Sequence, residues 1–282
     1  MTVRIVTDSS AVVPAEWRES VPLHVVSLQL AWENGEVSEG DAPYAELVAR
    51  LKHGERPPKT AAPSPGAYEE LFGELLASDD HVLVVCPASE LSVTYGNAVL
   101  AARSVGEDRV YVLDAKTAAA GQGLVAVEAA RTAASRGDIE RVLAHALDVA
   151  THVQIWATLQ QLDFLRRSGR LPAIAAVGAG ALGLQPIVRY GGGSPTPVGV
   201  TRSARRGADR LFRAWQRSIR AGAKVTVVAF HSARGEEASD LERRILDRAP
   251  ESETAVCEVA ASLASHTGPG LLGLAWHWQP LR

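Results

Sequence analysis

Polar side chains stand where strands end or loops turn: Asp8 and Ser9, Thr60, Ser92, Asp114 and His266. His266 lies in Ser265-His266-Thr267-Gly268-Pro269-Gly270, between two apolar runs, residues 255–263 and 271–278, that read as strands joined by a short turn. The glycines and the proline break the strand pattern and let backbone approach another group closely. The imidazole can donate from either ring nitrogen. Alone, such a motif reads as a tight turn with a surface histidine. Hydroxyls and a histidine without a nucleophile–base pairing suit holding an anion better than breaking a bond. A carboxylate in an apolar site costs several kcal/mol unless it is hydrogen-bonded. Hydroxyl donors and an imidazole N–H offset that cost, because bonds to a charged acceptor are the stronger kind.

Other motifs fail on context. Gly178-Ala179-Gly180-Ala181-Leu182-Gly183 matches the G-x-G-x-x-G dinucleotide pattern, yet residues 184–208 contain no Asp or Glu to hold a ribose. It reads instead as a small-residue helix or turn packed on something apolar. Gly191-Gly192-Gly193 lacks the Lys-Ser/Thr of a phosphate-cradling loop, and no G-x-S-x-G elbow or zinc-ligand spacing occurs. A rival reading takes Asp8 or Ser9 as nucleophile and His266 as acid/base, in a free-standing enzyme acting on a small phosphate or carboxylate. It requires a metal or a phosphate cradle, which no stretch supplies.

The elements that would position these residues alternate. Strands are expected at residues 3–7, 25–30, 81–86 and 109–113, with helices at 44–51, 67–76, about 94–104, 121–136 and 139–150. Ser64-Pro65 suits an N-cap and first helical position, and Asp138 suits another N-cap. This alternation implies a parallel sheet with crossover helices. The second half reads as strands at 154–159, 187–190, 195–200, 224–231 and the two around His266, with helices at 163–169, 203–221 and 236–248. The turn at His266 and the Gly191–Gly193 hairpin signature imply antiparallel pairs, hence a mixed second sheet. Residues 173–184 hold no polar side chain. The arginines of residues 203–221 read as a solvated helix face, or as a docking surface for an acidic partner.

At 282 residues the chain is long for one core, so two domains are expected, residues 1–155 and 156–282. With 46% apolar and 22% charged residues and a net charge of −3, it reads as soluble, with no field to attract nucleic acid. Cys86 and Cys257 fall in apolar runs and read as buried free thiols. An acid at position 8 precedes any apolar signal region, so a cytoplasmic protein is expected.

In order along the chain stand Val3-Arg4-Ile5-Val6-Thr7-Asp8-Ser9-Ser10, Thr60 with Pro63-Ser64-Pro65, Leu91-Ser92-Val93-Thr94-Tyr95, Thr158-Leu159 through Leu165, Ser168-Gly169-Arg170-Leu171, Gln185-Pro186-Ile187, Val200-Thr201-Arg202 and His266-Thr267-Gly268-Pro269-Gly270. Together they resemble the DegV family, whose members include the fatty-acid-binding subunits of bacterial fatty acid kinase. The resemblance covers nearly the whole chain. It implies a two-domain α/β protein, an N-terminal parallel sheet flanked by helices and a C-terminal mixed sheet with helices, with one long-chain fatty acid between them. It implies a lipid-binding accessory subunit rather than an enzyme, with no cofactor or metal, serving a separate ATP-dependent fatty acid kinase that makes an acyl phosphate. It also implies no stable membrane insertion, only transient membrane contact. By likeness, Thr60, Ser92 and His266, with Ser64 and Thr94, bind the fatty acid. Ile174, Val177, Leu182 and Leu184 would line the acyl tunnel, and Arg170 and Arg202 would face the kinase or its phosphoryl site. Three positions depart from the family: Ala62 where Gln is frequent, Val93 where Gly is usual, and Ala115 where Ser is common. Val93 adds bulk beside Ser92 and bears on chain selectivity.

Overall fold

The computed structural model describes residues 2–33, 35–76, 80–160, 162–169 and 184–279. β1 (Val3–Asp8) is buried at every position except Arg4. The chain continues through α1 (Ala15–Ser20), β2 (Leu23–Val26), β3 (Gln29–Trp32), β4 (Gly35–Ser38), α2 (Tyr44–Lys52), β5 (Lys59–Ala61), α3 (Pro65–Leu75), β6 (His81–Cys86), α4 (Thr94–Val105) and β7 (Val110–Asp114). β2, β1, β6 and β7 form a four-stranded parallel sheet in that order. After His81, β6 is a continuous run of Val, Leu and Cys because both faces of such a sheet are covered. α3 starts where its sequence dictates: Ser64 Oγ accepts from the Ala67 N–H at 3.2 Å, and Pro65 takes the first helical position. α3 and α4 cover one face through Tyr68, Phe72 and Ala98.

Residues 25–30, expected as one strand, are two, β2 and β3, in different sheets. The apolar pattern is continuous, but the ladder changes partner between them. The Leu28 N–H donates to Ser9 Oγ at 2.8 Å, and the Leu28 carbonyl accepts from Glu39 N–H at 2.9 Å. β3 then pairs antiparallel with β4 and β5 in a small three-stranded sheet that the sequence reading does not contain. In its register Leu30 stands opposite Thr60.

α5 (Ala119–Ala134) and α6 (Ile139–His152) come next. They pack on the parallel sheet on one side and on the second sheet on the other. A helix between two sheets has no solvent face, and α5 is accordingly Ala-, Gly- and Val-rich and buried from Ala119 to Ala130. Gly123 is required there, since a Cβ would stand 2.2 Å from the Val12 carbonyl oxygen. α6 begins at Asp138, whose carboxylate accepts from Arg141 N–H at 2.9 Å.

The second half contains β8 (Gln154–Thr158), α7 (Asp163–Arg167), β9 (Gln185–Gly191), β10 (Ser194–Thr201), α8 (Ala204–Arg217), β11 (Val225–His231), α9 (Gly235–Arg248), β12 (Glu253–Glu258), α10 (Ala261–Thr267) and β13 (Leu272–Trp278). Its six-stranded sheet has the order β10-β9-β8-β13-β11-β12 and is mixed: β11 and β12 run parallel, and the other pairs antiparallel. The stretch around His266 corrects the expected hairpin. Residues 261–267 are helix, not strand, and β11 stands between β12 and β13. The run 255–263 is largely apolar because Ala255 of β12, Val259 and most of α10 are buried, and a short apolar run does not tell strand from helix by itself.

One hydrophobic core runs from β1 through α5 and α6 to β11 and β13, joining both halves. Both cysteines are free; Cys86 is buried and Cys257 half-buried, so the second is less enclosed than expected. Burial raises both thiols, Cys257 to about 11, which keeps them protonated near neutral pH. Among the described residues no helix is long and apolar enough to cross a membrane.

Candidate functional site

A cavity of about 440 Å³ opens between the mixed sheet and the loops that follow β1, β2 and β6. The loop after β6, residues Pro87 to Val93, forms one side, and α10 with Leu28, Thr60 and Ala62 forms another. The floor is one face of β8, Ile155 and Ala157, continued by Leu159 just past the strand's end, beside Val188 and Tyr190 of β9. Sequence reasoning missed these wall residues, because Ile155, Trp156 and Ala157 are apolar in succession and the sequence does not say which face of β8 lines a cavity.

Thr60, Ser92 and His266 all line this cavity. Thr60 is carried by β5 and His266 by the last turn of α10, and Thr60 Oγ1 lies 2.9 Å from His266 Nε2. The donor is set by the imidazole tautomer. α10 is fixed at both ends. At its start Glu39 Oε1 accepts from the Ser262 N–H in a short hydrogen bond. At its end Gly268 adopts φ 73°, where a Cβ would stand 2.4 Å from the Phe164 ring. The glycine thus does packing work, allowing Phe164 of α7 to close against the turn after His266.

Ser92 is oriented by its neighbour. Its Oγ accepts from the Thr94 N–H at 3.2 Å and shares a 2.7 Å hydrogen bond with the Thr94 hydroxyl. Thr94 is almost fully buried and is absent from the cavity wall; its contact with Ser92 is its link to the site. Ser64 caps α3, and Leu184 is half-buried just before β9; neither belongs to the described wall. Arg202 is exposed between β10 and α8. Arg170, Ile174, Val177 and Leu182 lie outside the described residues, as does the Gly178–Gly183 pattern. Of the positions that depart from the family, Ala62 and Val93 line the cavity, Val93 with 68% exposure, while Ala115 is buried away from the wall.

Asp8 and Ser9 are engaged elsewhere. Asp8 is enclosed: one carboxylate oxygen accepts from the Ser10 N–H at 2.9 Å and from its hydroxyl, the other from Gln122 Nε2 at 2.8 Å. Burial pushes its carboxyl above the usual range, against the pull of the hydrogen bonds from Ser10 and Gln122. Ser9 Oγ donates to Glu39 Oε2 while accepting from Leu28 N–H. Burial likewise raises Glu39. Asp114 Oδ2 pairs with Lys116 Nζ at 2.9 Å, and Glu90 Oε1 pairs with the same ammonium at 2.8 Å. Across the cavity, the β9–β10 turn closes onto that cluster: Gly193 N–H donates to the Lys116 carbonyl at 2.9 Å, and Tyr190 OH donates to the Gly193 carbonyl at 2.8 Å. No cluster of His, Cys, Asp and Glu among the described residues has the arrangement of a metal site. A cavity walled mainly by aliphatic side chains, with hydroxyls, an imidazole and the Glu90 carboxylate also in its wall, is fitted to hold an apolar chain with a polar head.

A family model described as "Uncharacterised protein, DegV family" matches residues 2–278. A DegV domain-containing protein of Streptomyces coelicolor is 33% identical over 275 residues, covering 96% of this chain and 97% of its own. A DegV family protein from Thermus thermophilus, whose structure is described as fatty acid binding, superposes with a TM-score of 0.92 at 25% identity, covering 99% of this chain and 100% of that one. Bacillus subtilis DegV, described as a fatty acid binding protein, superposes with a TM-score of 0.89 at 25% identity over 99% of this chain and 100% of its own.

Proposed function

The chain belongs to the DegV family, and we propose that it binds one long-chain fatty acid and presents the carboxylate to a separate ATP-dependent fatty acid kinase. In this reading residues 1–155 and 156–282 are two units, and the ligand lies between them. The observation that carries it is the convergence of Thr60, Ser92 and His266, from three distant parts of the chain, on one largely apolar cavity. Their donors take the carboxylate, and Thr94 holds Ser92 in place. Ser64 acts through the position of α3 rather than by contact. The acyl chain lies along the β8 face, with Ile174, Val177, Leu182 and Leu184 kept as the tunnel lining that likeness to the family implies. About 14 methylenes at about 0.8 kcal/mol each give roughly 11 kcal/mol of gross stabilisation, before ordering costs. That retains a ligand without a covalent bond. The chain does no chemistry alone, needs no cofactor and works in the cytoplasm. The enclosed Asp8 and the doubly bonded Ser9 hydroxyl favour this over a nucleophile–base mechanism.

Organic extraction of the purified protein followed by mass spectrometry tests the reading. The expected result is about one fatty acid per chain. No fatty acid, together with a melting temperature indifferent to added fatty acids, overturns it. Arg170 and Arg202 serve the kinase side. Arg202→Ala is expected to keep the lipid and to lower acyl phosphate formation with the kinase; loss of lipid from that variant counts against a docking role.

A further inference from the structure

A second cavity, of about 180 Å³, lies behind the loop that follows His266. It is walled by Lys52 at the end of α2, Gln160 after β8, Ala233 and Arg234 after β11, and Pro269 and Gly270. The two cavities stand back to back: Leu159 and Leu271 line the first, and their neighbours Gln160 and Gly270 line the second. The Arg234 side chain is only 4% exposed. Its Nε and Nη2 both donate to a single oxygen, Glu237 Oε1, at 3.1 Å, and Nη1 reaches the Gly270 carbonyl at 3.4 Å. Those bonds leave part of the guanidinium's fork of donors unused. Lys52 is exposed and makes no ion pair among the described residues. Two cations therefore face this small space against the carboxylate of Glu237, which is itself 41% exposed.

We propose that this cavity binds a phosphate-class anion, either inorganic phosphate or the phosphoryl group of a monoester. The charged side chains in the wall are donors, and they arrive from separate elements. That suits a tetrahedral group carrying acceptor oxygens on several sides better than a planar carboxylate. The space is too small for an acyl chain, and its position on the far side of the Gly270 loop separates it from the wall that carries Thr60 and Ser92. The site stands independently of the fatty-acid reading.

The test is calorimetric titration of the full chain with inorganic phosphate and, in a second arm, with methyl phosphate, against sodium chloride at matched ionic strength. A saturable signal at one anion per chain is expected. Binding of the free ion alone marks a phosphate site, and binding of the ester as well marks a phosphoryl site; both support the proposal. Lys52→Gln is expected to weaken binding about fivefold, as for an exposed charge pair. Arg234→Gln is expected to weaken it roughly tenfold or more, as for a buried charged donor. Should Arg234→Gln not fold, Lys52→Gln and Gln160→Leu carry the test. Heats equal to those of chloride, or phosphate affinity unchanged in both of those variants, overturn the proposal. Lipid content measured on the same preparations separates the two readings. Phosphate binding lost with lipid present strikes this site alone, and lipid absent with phosphate bound strikes the fatty-acid reading alone.

Discussion

Thr60 and His266 are separated by 206 positions in sequence and 2.9 Å in space. The two are hydrogen-bonded to each other at the wall of a mainly apolar cavity, so replacing either removes one of the groups that meet an arriving carboxylate. Hydrogen bonds to a charged partner contribute about 1.5–3 kcal/mol. Thr60→Val keeps the shape and removes the hydroxyl, and fatty-acid affinity is expected to fall roughly ten- to hundredfold. Displacement of a fluorescent fatty acid measures this; an unchanged dissociation constant in both Thr60→Val and His266→Ala would remove these residues from the head-group site. Gly268 makes a different demand. At φ 73° an L side chain is strained, and the Phe164 ring occupies the space its Cβ would need. Gly268→Ala is expected to cost on the order of 1–3 kcal/mol, read as a lower urea midpoint with an unchanged slope. A midpoint equal to that of the parent would mean that Phe164 moves aside without cost.

α10 exists in its position because something outside it satisfies its first turn. Glu39 accepts from Ser262 N–H and from the Ser9 hydroxyl, joining the helix that carries His266 to the loop after β1. Burial raises both Glu39 and Asp8 above the usual carboxylate range. An acid whose folded-state pKa exceeds its unfolded value binds more protons when folded, so its contribution to stability declines as pH rises between those two values. The part of the denaturant midpoint that these two carboxyls contribute is therefore expected to fall as pH is raised from the ordinary carboxylate range, near pH 4, through the raised folded-state values, against the opposite contribution of the lowered Asp80, Asp114 and Glu128. Glu39→Gln and Asp8→Asn should remove that fall. A slope of opposite sign that both variants leave unaltered would show that neither carboxyl governs it. The β9–β10 turn is the second such tie. Gly193 is at φ 87°, and a Cβ there would stand 2.6 Å from the Glu90 carboxylate that Lys116 holds in place. Gly193→Ala is expected to push the turn off the cluster and to speed release of bound fatty acid, measured by stopped-flow exchange. An unchanged release rate would place the exit elsewhere.

The whole molecule is a stack of layers: α3 and α4, the parallel sheet, α5 and α6, the mixed sheet, and α8 and α9. Most of its strands and helices are legible in local pattern because their cues are local. Ser64-Pro65 and Asp138 mark helix starts, and continuous Val-Leu runs mark buried strands. What local pattern does not carry is partner choice. Nothing in residues 25–30 announces that Leu28 abandons one ladder for Ser9 Oγ, and nothing in residues 255–263 says that β11 will stand between β12 and β13. The pairing of Thr60 with His266 is likewise invisible to spacing, and only likeness to a family placed the two together in advance. The same layering governs how a ligand acts on stability. The cavity is walled by the mixed sheet and by the loops that follow strands of the parallel sheet, and one hydrophobic core runs through α5 and α6 into both sheets, so a bound chain supports the two halves together. A ligand that binds only the folded state adds about 2.7 kcal/mol at a hundredfold excess over its dissociation constant. Stripping the lipid is therefore expected to lower a single melting transition, and adding fatty acid back should restore it. Trp17 near β1 and the tryptophans of β13 report on the two halves, through quenching and through single-tryptophan variants. If only one half shifts with lipid while the other melts unchanged, the ligand rests on one half, and a site shared between the two halves is wrong.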